Sequence, residues 1–290
     1  MKMLSPVLLG LSLAVAGAAC AAAQDASAPP KILQVQVEYT KPYKNGAVHD
    51  KTESAFVQAM TKAKFPAHYI ALTSMSGKDR SDFITAYDSF AEWQADNKLV
   101  EKNPALAAEL EHASTADAEL LDSTNNLIFT YDDDLSYKPH GDLAHARYME
   151  ISIFQVKPGH AHDWHELAKM VKEAHDKAGD SAHWAMYEVG YGTDDGTYIA
   201  LSGDKSMADI DTGYADFKKF SDALGKEGMK KLDDLIAETV VSSHAELYSI
   251  NPKMSYAPDA YITADPDFWK PKPAAAPAAK PAAPAKKATP

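Results

Sequence analysis

The 290-residue sequence has almost no cysteine: Cys20 is the only one, so no disulfide can form within the chain. It has no excess of positive charge either. Its 29 Lys and Arg stand against 41 Asp and Glu, a formal charge of −12, which argues against tracking a nucleic-acid backbone or an anionic membrane surface. The one apolar run, near the N-terminus, is short and rich in alanine and glycine, and does not favour a stable span. Glycine-rich phosphate loops, HExxH, paired cysteines and nucleophile motifs are all missing, so no motif announces a reaction, and no resident cofactor is expected.

What is present begins with an export signal. Lys2 supplies the positive end, "MLSPVLLGLSLAVAGAA" the apolar core, and "ACAAAQDA" the small residues of a cleavage site, placed after Ala23. Residues 1–23 are therefore expected as a signal peptide, and the protein in the periplasm or outside the cell. A second reading stays open: "GAAC" as a lipobox, with Gly17 where leucine usually stands and Cys20 lipidated, giving an outer-membrane lipoprotein. Residues 259–290, ending in "KPKPAAAPAAKPAAPAKKATP", are expected as a Pro/Ala/Lys-rich disordered tail, because proline at that density forbids a helix.

Between the two ends the sequence repeats itself. "LQVQVEYTKPYKNGAVHDKTESAFVQAM" matches "YMEISIFQVKPGHAHDWHELAKMVKEA", and "NNLIFTYDDDLSYKP" matches "HAELYSINPKMSYAP". Each copy alternates with period two in its strands and with period 3.6 in its helices. The first copy, 31–139, predicts strands at 32–39, 67–75, 82–87 and 126–131. The second, 145–258, predicts strands at 147–156, 183–191, 197–202 and 243–250, with helices at 160–177 and 216–239. The order βαββαβ makes the chain α+β, two tandem ferredoxin-like units.

The strand, "VKPG", and a helix opening with an acidic residue and Trp164 resemble the dimeric α/β-barrel superfamily, which includes antibiotic-biosynthesis monooxygenases, NIPSNAP-like, EthD-like and haem-degrading proteins. The resemblance covers both copies. It implies that one chain builds a barrel that other members assemble from two. Because the group is functionally mixed, it implies little about chemistry. The haem histidine of the haem-degrading members lies on a different helix, so it does not carry over to His175, which is expected to pack at its helix end.

Alternation then assigns strand faces. Val35 and Val37, and Met149, Ile151 and Ile153, are read as packing under the helices. Gln34, Gln36, Glu38, Tyr69, Phe129 and Tyr131 of the first copy are read as facing the barrel interior. So are Tyr148, Glu150, Ser152, Phe154, Trp184, Met186, Glu188, His244, Glu246 and Tyr248 of the second. Aromatics with a few polar groups suit a small-molecule cavity, and a crowded carboxyl could exchange protons near neutrality. The catalytic candidates are Glu150, Glu188, Glu246 and His244. Gln36, Glu38, Tyr69, Tyr148, Trp184 and Tyr248 are the ligand-contacting candidates. A solvated face, or glutamates at strand ends, explains the same pattern.

The histidine-rich "HAHDWH" is a helix start. His162, His165 and Asp163 form a weak metal candidate only, since His160 points elsewhere on a regular helix and a closed zinc site needs about four ligands. The matching "NGAVHDKTE" keeps His49 and Asp50. Three functions remain: an exported protein holding a small aromatic or apolar ligand; a cofactor-independent monooxygenase or isomerase using interior carboxylates; and an interaction scaffold. No nucleic-acid partner and no membrane span are expected, and further oligomerisation is left open.

Overall fold

The computed structural model describes residues 28–270. Both the signal peptide expected at 1–23 and residues 271–290 of the expected tail lie outside that range. The first unit runs β1 (Ile32–Thr40), α1 (Ala47–Ala63), β2 (Tyr69–Ser74), β3 (Arg80–Tyr87), α2 (Phe90–Glu101), α3 (Pro104–Ala118) and β4 (Leu121–Tyr137). The second runs β5 (Tyr148–Val156), α4 (Ala161–Ala178), β6 (Trp184–Tyr191), β7 (Thr197–Asp204), α5 (Met207–Thr239) and β8 (Val240–Ile250), followed by α6 (Asp259–Ala264) and α7 (Pro266–Trp269).

Strand order settles the architecture. The eight strands close in the order β1-β3-β2-β8-β5-β7-β6-β4, every pair antiparallel. Each unit contributes a ferredoxin-like sheet, β4-β1-β3-β2 and β8-β5-β7-β6. The units join at two seams, β2 to β8 (Leu72 opposite Ile250) and β4 to β6 (Phe129 opposite Val189). The chain is thus a dimeric α/β barrel made by one polypeptide. Closure leaves no open sheet edge, the usual hazard of an antiparallel sheet.

Local chemistry fixes the breaks. The Asn103 side chain accepts from the Leu106 amide at 3.1 Å, and Pro104 takes the first helical position, so the helical arm before β4 divides into α2 and α3. The matching arm, α5, opens with a Ser206–Asp209 capping box and is interrupted at Gly225, whose φ of 67° favours glycine. Gly192, in the β6–β7 turn, has φ 102°, and a Cβ there would lie 2.2 Å from the Asn126 carbonyl oxygen of β4.

Leu33, Val35 and Val37 of β1, Met149 and Ile151 of β5, and Tyr187, Ile199 and Tyr248 form the core that fills the barrel. The face assignments in β1, β2, β5 and β6 are therefore reversed. Gln34, Gln36, Glu38, Tyr69, Glu150, Ser152, Phe154, Trp184, Met186 and Glu188 lie on the helix side, not in the barrel. The expectation holds for Phe129 and Tyr131 of β4 and for Glu246 and Tyr248 of β8. The reason is physical: an eight-stranded interior is just wide enough for side chains to fill, so it takes the aliphatic rows. Both faces of β1 and β5 are covered, and alternation alone does not say by what.

The tail boundary also moves. Asp259–Trp269, expected within the disordered tail, forms α6 and α7. Trp269 is buried against the barrel core and donates to the Ala144 carbonyl at 2.8 Å. Arg147 pairs with Asp265 and lies 3.9 Å over the Phe268 ring.

Candidate ligand cavity and its polar counterpart

In the second unit the layer between sheet and helices holds a half-open cavity of about 300 Å³. Its walls come from three directions. β5 sends Glu150, Ser152 and Phe154 from the face opposite the barrel. α4 sends Trp164 and Ala168, the buried positions of its first turns, and α5 sends Leu232 and Ile236. Trp184 and Met186 of β6 close the side. The aromatic walls are fixed by contact: Phe154 and Trp164 centroids lie 5.1 Å apart, and Trp164 and Tyr198 5.4 Å.

Polar groups are few. The Trp184 indole N–H donates to the Leu135 carbonyl at 2.9 Å. The Trp164 indole N–H is buried and has no partner among the described residues, although a buried tryptophan donor usually finds one. Burial, and then the neighbouring Asp204 charge, pushes the Glu150 carboxyl above its ordinary range, against a smaller opposing effect of His183.

The equivalent place in the first unit has a different chemistry. β1 and β5 carry the same register break, between Tyr39 and Thr40 and between Gln155 and Val156. Counting back from it, Glu38 stands where Phe154 does. The buried positions that open α1 are His49 and Glu53, spaced four apart as the buried Trp164 and Ala168 of α4 are. Asp117, which precedes β4 as Ile236 precedes β8, completes the set. No cavity wall results, but a buried quartet does: Glu38, His49, Glu53 and Asp117. His49 Nε2 lies 3.1 Å from Glu38 Oε2, 3.4 Å from Asp117 Oδ1 and 4.0 Å from Glu53 Oε1. Gln36 Nε2 donates to Glu38 Oε1 at 2.5 Å, and Thr52 Oγ1 to Asp117 Oδ1 at 2.5 Å. Glu53 Oε1 and His49 Nδ1 are buried without partners among the described residues, as is the Tyr69 hydroxyl. Burial, then the Glu38 and Asp117 charges, pushes Glu53 up to about 9. Burial works to lower His49, but hydrogen bonds to Asp117 and Glu38 outweigh it and raise the imidazole to about 9.

The four catalytic candidates do not converge. Glu150 lines the cavity. Glu188, two strands away, accepts from the Tyr198 hydroxyl at 3.0 Å. Glu246 lies on the barrel side, where Arg80 binds both its oxygens and the Tyr248 hydroxyl donates to Oε2 at 2.8 Å. Arg80 also reaches Asp82 at 3.1 Å. His244 is more than half exposed and 4.0 Å from Glu246.

Of the ligand-contacting candidates, Trp184 lines the cavity, Glu38 belongs to the quartet, Gln36 donates to Glu38, and Tyr248 is buried in the barrel core. Tyr69 packs with Ala71, Phe83 and Met254, and Tyr148 lies half-buried opposite Asp204 and Ser249, outside the cavity wall. Of the weak metal set, His162 and His165 are exposed, and Asp163 binds His160 Nδ1 at 2.9 Å instead. His175 pairs with Asp180 at 2.7 Å and packs on Phe220, the helix-end role expected of it. The quartet was missed, though it left one sign in the sequence: two polar residues, His49 and Glu53, one turn apart where the helix should present an apolar stripe.

No family model matches the chain, and no curated protein matches it. Among solved structures it is similar to a candidate monooxygenase from Fusobacterium nucleatum, at 10% identity and a TM-score of 0.49, over 77% of this chain and 93% of that one. An anthrone oxidase-like protein aligns at 12% identity and 0.47, over 78% and 93%. A mutant chlorite dismutase from Candidatus Nitrospira defluvii aligns at 7% and 0.45, over 82% and 96%. At such identities and scores these likenesses carry no chemistry; the barrel is established by the strand order and register given above.

Proposed function

We propose that the protein holds a small aromatic or largely apolar molecule in the sheet–helix layer of its second unit. The observation that supports this reading is the cavity of about 300 Å³ walled by Phe154, Trp164 and Trp184. A molecule with a flat apolar body would stack among Phe154, Trp164 and Trp184, with Glu150, Ser152 and Ser202 offering polar contacts, and the size is at the lower end for ligand sites. The export signal read at residues 1–23 supports a carrier or sensor acting outside the cytoplasm. The test is native mass spectrometry of the full chain purified from its own source. A retained small molecule is expected, and Ala168→Leu, which fills the cavity, should release it with the fold intact. A native protein without ligand, combined with no thermal shift from aromatic ketones or phenols, would sink this reading.

A second reading rests on Glu150. Its raised carboxyl suits proton transfer to a bound molecule, as a cofactor-independent monooxygenase or isomerase would need. The two readings separate with Glu150→Gln. Turnover of the retained molecule lost while its binding persists marks an enzyme; the absence of any turnover in the wild type marks a binding protein.

A further inference from the structure

We propose that Glu38, His49, Glu53 and Asp117 form a binding site for one divalent first-row transition-metal ion, held between the sheet and helices of the first unit.

The argument starts from an imbalance of donors and acceptors. Three carboxyl groups and one imidazole converge from β1, α1 and α3, and one ligand atom from each lies within 4.8 Å of all the others. None of the four side chains is more than 5% exposed. Burying three carboxyl groups beside one imidazole leaves more oxygen acceptors than donors, and an unmet buried polar atom is unfavourable. The available donors are the Gln36 amide, the Thr52 hydroxyl and His49 Nε2, while Glu53 Oε1 has none. Glu53 is itself buried and lies 4.0 Å from the imidazole nitrogen that faces Glu38 and Asp117, so its free oxygen is turned into the cluster.

A divalent cation supplies what is missing. Four ligands from three elements make a closed site, and carboxylate-rich coordination with one imidazole fits Mn²⁺, Fe²⁺ or Zn²⁺ better than a soft ion. The surroundings are those of ligands held in place: Gln36 braces Glu38, and Thr52 braces Asp117, which is the role outer partners play around a metal. The site is independent of the cavity in the second unit. It replaces both the expectation of a cofactor-free protein and the weak candidate at His162, His165 and Asp163.

The full chain, stripped with a chelator and dialysed against Zn²⁺ or Mn²⁺ alone, should take up one ion per chain by elemental mass spectrometry. Glu53→Gln, nearly isosteric, should weaken uptake roughly tenfold or more. The double change His162→Ala, His165→Ala should leave it unchanged. No uptake by the wild type, or equal uptake by Glu53→Gln, overturns the proposal. Should Glu53→Gln fail to fold, Mn²⁺ added to the wild type decides: it must broaden the His49 ring resonances, and broadening confined to His162 and His165 refutes the site.

Discussion

Glu150 occupies a position where its charge is penalised by burial and by Asp204, and its raised pKa has a definite consequence for stability. The unfolded chain titrates this carboxyl at about 4.3. The folded state holds the proton more tightly, so the stabilisation it confers is complete below that pH and is lost as the pH rises through the folded value. Glu150→Gln has no such titration. The variant should therefore gain thermal stability relative to the wild type as the pH is raised from about 4 towards neutrality. Parallel melting profiles over that range would contradict the assignment. Arg80 shows the opposite way of handling buried charge. Burial pushes Asp82 up to about 6, while Arg80 draws it back and also binds Glu246. Those two carboxylates are engaged with one cation inside the barrel.

Among the elements, the β6–β7 hairpin is the most exacting. Gly192 combines a positive φ with a backbone approach to β4 that leaves no room for a Cβ. Gly192→Ala should destabilise the protein by more than about 1 kcal/mol, read as a lowered urea midpoint with an unchanged slope. A neutral result would mean that the turn can shift without opening the β4–β6 seam.

How much was legible in the sequence also divides by element. The strands of the second unit, the helix at 160–177 and the repeat itself were all readable, because period and duplication are local signals. The bounds of β4 were not: 126–131 was expected, whereas Leu121–Tyr137 forms the strand, since its exposed polar ends carry no alternation. The faces of β1 and β5 were separable, but which one the helices cover was not, because two different layers bury them. The quartet joins positions 38, 49, 53 and 117, which no local motif connects. Only closure of the sheet and docking of α3 beside α1 brings Asp117 to His49.

At the scale of the whole molecule, the barrel interior is a core, and the two sheet–helix layers hold the cavity and the buried quartet. The aliphatic rows of β1 and β5, Tyr187, Ile199 and Tyr248 fill the centre, and α6 and α7 pack Trp269 against it. The expectation of a ligand inside the barrel thereby shifts outward by one layer, into the second unit.

The two seams that join the units are made within one covalent chain, and this has an effect on what selection can do. A barrel assembled from two identical subunits must place the same side chain at both symmetry-related positions, so any change is made twice. In a fused barrel each position mutates alone. Glu38 and Phe154 are free to answer to different chemistry while sharing one hydrogen-bonded sheet. Fusion turns a symmetric assembly into the equivalent of a heterodimer whose partners can never exchange or separate.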